Sequence, residues 1–581
     1  MTDVLESLHT PRFRHADEMV GLFGKAPTAI QRRVRQAITP GHAAVRTQFA
    51  TLLLSDNSPK AHVTLSDDGV EGCIIEGHHF STSAASSPSS AWTRAAERDS
   101  GSFNVIFWDG HQHYVRIRTD KLGYRTLYYW VDPTEAFLIV ASNLFLMRAT
   151  IGRLRPDASA FYEQLLLSST IGDKTLLSGV RRLRPGLELT LDRDGVRTAV
   201  VDPSHPSHPW GRRDSAASMD ASATKIIDVT KQVLSDWTSN RPSRIALSGG
   251  FDSRLLLSLA LRNTTPIEAV TLGDPSWIDR KLAEQVTQRL HVSRRLISPP
   301  LRPTLRDYLR ALLVTEHVSD YMSGFWLLRY ARAVGTTPRP IVNGFLGGPV
   351  SGAPTGWVDG EVRTRQDLVR GWFRHVNRAN VPLGTLQAVN PRNGVDISAE
   401  ALCAQLDAFC PRHAPLFRAS TGLEMQVRQF GFVSLGTYAL YRRFAQPLVP
   451  LADFRLLRLF GGLPRRHLLG QRAYRRAIGV VDTSGVPVAS TSGRHPATFS
   501  MGPRGTVERG FALVHQRARA IIVEHSDVVS ELFDVRRLLE RLDHAQRHRG
   551  NHRQVPECLM LINAALLWLA YTHVETATRT A

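Results

Sequence analysis

The chain has 581 residues, 43% of them hydrophobic and 21% charged, a balance that suits two or more globular domains and excludes a disordered or fibrous chain. Its 72 Lys and Arg against 52 Asp and Glu give a formal net charge of +20, which favours anionic partners such as nucleotides or acidic peptides. No aromatic-interleaved basic motif accompanies the charge, so nucleic acid is not the expected partner, and four scattered cysteines without a Cys-x-x-Cys pair weigh against a disulfide framework or a zinc site.

Residues 1–205 read as β-rich. Short runs such as Phe103–Trp108, Tyr114–Arg118, Leu127–Trp130 and Phe137–Val140 are bounded by Gly, Asp and Pro. Ser81–Ser90, rich in Ser and Ala, reads as a loop, and Asp202–Asp214, with three prolines, as the linker. From 215 onward helices alternate with strands. The spacing predicts a helix over 217–238, a strand over 243–247, a helix over 253–262, a strand over 268–272, a helix over 278–290 and a strand over 294–297. That alternation implies a doubly wound parallel sheet, whose ligand lies beyond the carboxyl ends of the strands. Residues 305–335, 365–380, 398–480 and 505–575 read as mostly helical. The opening residues lack a basic-then-apolar signal pattern, and Cys558–Tyr571, the longest apolar stretch, reads as a buried helix, so a cytoplasmic protein with no membrane partner is expected.

Most of the chemistry is concentrated in Ile245-Ala-Leu-Ser-Gly-Gly-Phe-Asp-Ser-Arg254. Strand, glycine turn and helix in succession point backbone N–H groups at an anion, and the two glycines let the backbone come close to it. Ser248 and Ser253 add hydroxyl donors. Asp252 would repel a phosphate unless a Mg²⁺ stood between them.

The loop matches neither the Walker pattern nor the dinucleotide fingerprint. It resembles the Ser-Gly-Gly-x-Asp-Ser pyrophosphate loop of enzymes that split ATP into AMP and pyrophosphate. Further segments resemble the asparagine synthetase B superfamily: Asp120-Lys-Leu-Gly123-Tyr-Arg-Thr-Leu-Tyr128-Tyr129, Ala141–Leu144, Gly172–Leu176, Arg182–Gly186, Thr271–Gly273 with Asp279 and Ala283, Asn343–Gly348, and Leu463-Pro464 with Gln471-Arg472. The resemblance implies a degenerate Ntn-type amidotransferase β-sandwich over 1–205 and an ATP-pyrophosphatase synthetase domain over 215–581 with a helical C-terminal part. It implies ATP and Mg²⁺ as cofactors. Leu247, Ser248, Gly249, Gly250, Asp252, Ser253, Leu272 and Gly347 would bind the nucleotide, Asp252 the metal, and Arg472 would stabilise charge in the reaction.

Several positions depart from the family pattern. Glutamine-using members carry Cys directly after the initiator Met, where this chain has Thr2. The second glycine loop usually ends in an Asp that shares the metal, and Gly348 stands there. The slot for a general acid/base aligns with Phe345, which cannot move a proton, and the late catalytic Lys aligns with Arg472. Ammonia from glutamine is therefore not the expected nucleophile, which leaves relatives whose amine is already in the substrate. A β-lactam synthetase must deprotonate a weakly nucleophilic amide. A peptide α-amine, with an unperturbed pKa of about 8, needs less help. The pattern leans toward a lasso peptide cyclase, with a precursor peptide as partner and a leader peptidase beside it. An amide ligase for a small molecule, a tRNA-modifying enzyme and a non-catalytic peptide-binding homologue are the alternatives.

Glu316, His317 and Asp320 fall on a predicted helix over 315–331, as acceptor-side contacts or as solvated residues at a helix start. Asp274 and Asp279 read as a turn residue and a helix cap, Arg494 and His495 as loop residues, and Trp568 and Tyr571 as core.

Overall fold

The computed structural model describes residues 19–572 except 37–42, 48, 55–61, 79–84, 97–100, 135–136, 153, 186, 201–217, 240, 263–265, 274, 276, 299–304, 319–332, 334–338, 354–357, 359–361, 378–379, 391–394, 411, 413–414, 434–436, 446, 489–503 and 549–553. The predicted linker 202–214, Thr2, Asp274, Asp320, Arg494 and His495 lie outside the described residues.

Among the described residues twelve strands build the N-terminal part: β1 (Met19–Gly24), β2 (Ala43–Arg46), β3 (Ala50–Leu54), β4 (His62–Leu65), β5 (Glu71–His78), β6 (Ser102–Asp109), β7 (Tyr114–Thr119), β8 (Tyr128–Val131), β9 (Phe137–Ala141), β10 (Arg181–Arg182), β11 (Leu187–Asp192) and β12 (Gly195–Val200). They form two six-stranded sheets, ordered β10-β8-β9-β1-β3-β2 and β12-β11-β7-β6-β5-β4. Every pairing in both is antiparallel. The period-2 alternation of side chains decides which face meets what. Met19 and Phe23 of β1, Leu138 and Val140 of β9, and Ile106 and Trp108 of β6 share the core between the sheets. Val20, Leu22, Ile139 and Ala141 turn outward into a second, helical core. Helix α1 (Thr28–Gln36) follows β1, and α2 (Pro88–Ala96) covers the outer face of β5 and β6 through Ala91, Trp92 and Ala95. Helix α2 takes in the last three residues, 88–90, of the loop expected over Ser81–Ser90; 85–87 are not helical and 81–84 lie outside the described residues. Pro88 sits at its first position with a Ser87 hydroxyl accepting from the Ser90 N–H, a helix-start arrangement that the Ser-rich composition concealed.

Gly72 and Trp108 are cross-strand partners, and a Cβ at Gly72 would lie 2.0 Å from the indole ring. Trp108 is fully buried between the sheets and has no room to retreat. Gly72→Ala is therefore expected to destabilise the protein by about 1–3 kcal/mol through overpacking, read as a lower melting temperature.

Helices α3 (Leu144–Ile151) and α4 (Ala158–Leu167) close this half, and α5 (Met219–Thr238) opens the next. A five-stranded sheet follows, from β13 (Ser243–Ala246), β14 (Ile267–Leu272), β15 (Ser293–Ile297), β16 (Ile341–Val342) and β17 (Pro447–Leu448). Its order is β15-β14-β13-β16-β17 and all its pairings are parallel. Between the strands run α6 (Phe251–Ala260), α7 (Ile278–Arg289), α8 (Leu305–Thr315) and the short α9 (Gly347–Ser351). The predicted strands and helices here agree within two residues. Helix α6 begins two residues early, which puts Phe251 and Asp252 inside its first turn.

Of the helix expected over 315–331, the described residues 316–318 are not helical, and 319–331 lie outside the described residues. Helix α8 ends at Thr315, and Glu316 takes a left-handed φ of 49°. The chain leaves the helix there because 316–318 bind the N-terminal half. The Glu316 carboxylate accepts from the N–H groups of Leu144 (2.6 Å) and Phe145 (3.0 Å), capping α3. His317 Nε2 contacts the Ser168 carbonyl at 2.7 Å, and the Val318 N–H donates to Gln164 Oε1 at 3.1 Å. Glu316 is thus a helix cap, but for a helix 172 residues upstream.

The rest of the chain is mostly helical: α10 (Arg365–Asn377), α11 (Leu383–Val389), α12 (Ala399–Phe409), α13 (Leu416–Leu423) running into a π-helix (Glu424–Val433), α14 (Thr437–Phe444), α15 (Phe454–Gly461), α16 (Arg465–Leu468), α17 (Arg472–Val481), α18 (Arg504–Glu524), α19 (Ser526–Val529), α20 (Val535–Arg547) and α21 (Gln554–Thr572). By length and composition α21 could cross a membrane, yet 89% of its apolar window is packed inside the structure. Trp568 meets Phe161 edge-on at 5.3 Å and Tyr571 stacks on Phe145 at 4.8 Å, so both are core residues, as expected. These contacts make α3 and α4 part of one apolar core with the C-terminal helices.

Candidate active site

In the parallel sheet β13 comes first in the chain and lies in the middle, with β14 and β15 to one side and β16 and β17 to the other. The strand order therefore reverses between β13 and β16, where an open α/β sheet leaves a crevice beyond its carboxyl ends. Two glycine-rich turns meet there: Ser248–Gly250 after β13 and Asn343–Gly348 after β16. Leu247 is buried, its N–H donating to the Val270 carbonyl at 2.9 Å and its carbonyl accepting from Thr271 Oγ1 at 2.9 Å. Leu272 ends β14 half-buried beside them.

The loop after β13 is folded onto itself. The Ser248 N–H donates to Ser253 Oγ (3.1 Å), the Gly249 N–H to Asp279 Oδ1 (3.2 Å) and the Gly250 N–H to Ser248 Oγ (3.2 Å). The Asp279 carboxylate, in the first turn of α7, thus occupies an amide that would otherwise face an anion. Burial pushes its carboxyl upward, against the Gly249 N–H. A Cβ at Gly249 would come within 2.7 Å of Leu282 Cδ1, so a larger residue there would push that side chain aside. Gly250 caps α6 without a side-chain hydrogen bond, so the first-turn N–H groups of this helix have no side-chain cap.

Asp252 stands between the two turns. Its Oδ1 accepts from Tyr474 Oη of α17 at 2.8 Å, and its carboxylate also accepts from the Gly348 N–H. Burial pushes its carboxyl up to about 6, against both donors. The Tyr474 hydroxyl is pushed well above its ordinary value by the same burial and by Asp252, so it stays a donor. Gly344 and Gly347 are packed against Asp252. A Cβ at Gly347 would lie 2.3 Å from Asp252 Oδ1, and one at Gly344 2.6 Å from Asp252 Cβ. Gly347→Ala is expected to displace the Asp252 carboxylate, break its bond to Tyr474 and cost about 1–3 kcal/mol; thermal melting beside a Gly348→Ala control checks this, because a Cβ at Gly348 meets nothing closer than 3.9 Å.

Phe345, the residue in the proton-transfer slot, is buried in an aromatic cluster with Tyr124 (centroids 5.5 Å apart) and Tyr438 (4.7 Å). Tyr438 Oη donates to Asn343 Oδ1 at 2.6 Å. The segment that delivers Tyr124 is a built turn. Asp120 accepts from the N–H groups of Leu122 (3.0 Å), Tyr124 (3.1 Å) and Arg125 (3.0 Å), and Gly123 takes a φ of 59°. The Asp-x-x-Gly pattern thus shapes a turn that carries an N-terminal aromatic to the second glycine loop.

Helix α17 forms the third wall. Gln471 donates from Nε2 to Ser351 Oγ at 2.6 Å, and Tyr474 reaches Asp252. The Arg475 guanidinium lies 5.0 Å over the Phe251 ring. Arg472 stands on the exposed side of the helix. Tyr474 and Arg475 escaped the sequence reading; Gln471 is a left-handed cap before the helix, so no helical spacing from it marks them.

Asp252 fits one Mg²⁺ in a limited sense. Among the described residues no group of three or more His, Cys, Asp or Glu could hold a metal, and Gly348 offers an N–H rather than a carboxylate. Mg²⁺ is commonly held by one or two carboxylates plus substrate phosphates and waters, so a single Asp252 suffices only with a phosphate ligand present.

Residues 90–201 match a family of glutamine amidotransferase domains. No curated protein sequence matches the chain. Among solved structures, the glutamine phosphoribosylpyrophosphate amidotransferase of B. subtilis, complexed with ADP and GMP, aligns at 10% identity over 56% of this chain and 81% of its own, with a TM-score of 0.22, too low to carry an argument.

Proposed function

We propose that this protein is an ATP- and Mg²⁺-dependent amide-forming ligase, built as an amidotransferase-type domain (1–205) followed by a synthetase domain (215–581), and that its substrate is a ribosomal peptide closed into a lasso-type ring. The observation that carries the reading is the Ser-Gly-Gly-Phe-Asp-Ser turn at the carboxyl end of β13, the strand at which the parallel order reverses, with the uncapped start of α6 behind it. The match of residues 90–201 to glutamine amidotransferase domains supports the two-part architecture.

In this reading a substrate carboxylate attacks the α-phosphorus of ATP. The new C–O–P bond forms as the bond to the β-phosphate breaks, and pyrophosphate leaves. The peptide amine then attacks the acyl carbon, AMP leaves and the amine loses a proton. Mg²⁺, when bound at Asp252, would neutralise charge on the departing pyrophosphate. The chain's own contribution is positional. Leu247 and Leu272 frame the base, Ser248, Gly249, Gly250 and Ser253 line the phosphates, and Gly347 packs against Asp252. Phe345 offers no proton transfer, so the amine must lose its proton to solvent before it attacks, which an α-amine with a pKa of about 8 does far more readily than a lysine side chain.

One observation favours a second reading, a binding protein without turnover: the Ser248, Gly249 and Gly250 amides are already bonded within the protein. The two readings part in one assay. The full chain is incubated with Mg²⁺, ATP and either linear peptides bearing Asp or Glu, small amino acids or tRNA, and pyrophosphate is measured. Release with an acidic peptide, and a product lighter by one water, supports the ligase. Release with a small molecule or tRNA alone replaces the substrate class, and binding of peptide without release supports the second reading.

A further inference from the structure

We infer that Asp279 is a built-in competitor for phosphate: its carboxylate holds the Gly249 N–H in place of an anion, and a polyphosphate binds there by displacing it. The inference rests on the reading of this turn as one for ATP. Three amides of the turn are bonded within the protein, and they differ in what occupies them. The Ser248 and Gly250 N–H groups donate to Ser253 Oγ and Ser248 Oγ, neutral hydroxyls of the turn and its helix that can rotate toward a ligand. The Gly249 N–H donates to Asp279 Oδ1 at 3.2 Å, a charged acceptor that comes from another helix, 30 residues along the chain. A hydrogen bond to a carboxylate is roughly twice as strong as one between neutral groups, so this is the contact an arriving phosphate has to beat.

The carboxylate has somewhere else to go. Asp279 lies in the first turn of α7, whose N-cap residue, Trp277, makes no side-chain capping bond. The positive end of that helix is therefore open to its own acid once the side chain turns away from Gly249. Burial disfavours the charge of Asp279 where it now stands. The helix itself need not move. Arg280, the next residue, donates from Nη1 to the Gly273 carbonyl at 2.8 Å and to Ser298 Oγ at 3.1 Å, and its Nε pairs with Glu284 at 2.9 Å. These bonds fix the start of α7 to the residues that follow β14 and β15, so release is a rotation of one side chain. Asp279 thereby sets the affinity of the turn for the β- and γ-phosphates, exchanging its own charge on the amide for the ligand's.

Equilibrium binding of Mg²⁺–pyrophosphate, Mg²⁺–ATP and AMP to the full chain tests this with Asp279→Ala, Asp279→Asn and, as a control acid on the same helix, Glu284→Gln, each checked for a cooperative melting transition. Wild type is expected to bind pyrophosphate and ATP. Asp279→Ala should tighten both at least fivefold, and Asp279→Asn should tighten them less, because its Oδ1 still accepts. AMP, which lacks the β- and γ-phosphates, should change less than twofold, and so should every ligand in Glu284→Gln. Relief of charge repulsion is screened at about 1 M KCl, where the Debye length is about 3 Å, whereas loss of a hydrogen-bonded competitor is not. The gain is therefore expected to remain at that salt concentration. Should Asp279→Ala not fold, Asp279→Asn decides. Pyrophosphate binding that appears only in the Asp279 variants also supports the inference. Binding unchanged or weaker in those variants, a gain that disappears in high salt, or an equal gain in Glu284→Gln overturns it while leaving the ATP reading intact. Wild type and variants that all bind neither pyrophosphate nor ATP overturn the ATP reading and the inference with it.

Discussion

Asp252→Ala is expected to lower pyrophosphate release from ATP by about 10³-fold, equivalent to roughly 4 kcal/mol of transition-state stabilisation. The Asp252 carboxylate touches the second glycine turn through the Gly348 N–H, whereas the Asp279 carboxylate is held on the Gly249 N–H of the first. The Asp252 carboxylate also ties α6 to α17 through Tyr474, so the substitution also leaves a buried phenol without its acceptor, at a cost of about 1–3 kcal/mol. Tyr474→Phe separates the two effects. It removes the tie and keeps the carboxylate, and its activity per folded molecule should fall by no more than about tenfold. If Asp252 served only to join the helices, both variants would lower the melting temperature alike and neither would change turnover of the folded fraction. Turnover and melting measured on both variants decide between these roles.

Glu316→Gln is expected to flatten the pH dependence of stability between pH 5 and 8. Burial pushes the Glu316 carboxyl up to about 8 from 4.5, against the Leu144 and Phe145 N–H groups that favour its charged form. A carboxyl whose folded value is raised holds its proton more tightly in the folded state than in the unfolded chain. Its contribution is therefore complete below about 4.5 and is lost as pH rises to about 8, a change on the order of 5 kcal/mol. Glutamine keeps an acceptor oxygen for both N–H groups and has no proton to release. The variant should melt higher than the parent at pH 8 and no higher at pH 5. His317 works in the opposite direction: burial holds it down to about 4, so its contribution is lost as pH falls below its unfolded value. It is present in both proteins and cancels in the comparison. Equal pH slopes for parent and variant would show that Glu316 stays ionised at the start of α3.

The segment from β13 to α6 was legible because everything it needs is local. An apolar strand, two glycines and a leucine-rich helix lie within eighteen residues, and each is patterned for its own element. The alternation that follows supplied the parallel sheet, and the short strand runs of the first half marked it as β-rich. What escaped depends on partners far along the chain. Asp279 bonds to Gly249 thirty residues away, Tyr474 reaches Asp252 across 222 residues and Glu316 reaches Leu144 across 172. The helix expected over 315–331 is broken at 316–318 for the same reason, since tertiary bonds there outcompete the local helical preference. Arg472 was chosen by its place in a motif, and the structure leaves it exposed. Asp120 and Gly123 were legible as a pattern but not as the turn that brings Tyr124 onto Phe345.

A crystal structure of the full chain with Mg²⁺ and a non-hydrolysable ATP analogue bears most directly on the central claim. The expected result is a triphosphate at the carboxyl end of β13, with the Gly249 N–H released from Asp279 and turned to a phosphate oxygen and with Asp252 on the metal. An analogue bound elsewhere, or one absent at saturating concentration while the Ser248, Gly249 and Gly250 amides keep their bonds to Ser253, Asp279 and Ser248, would contradict it.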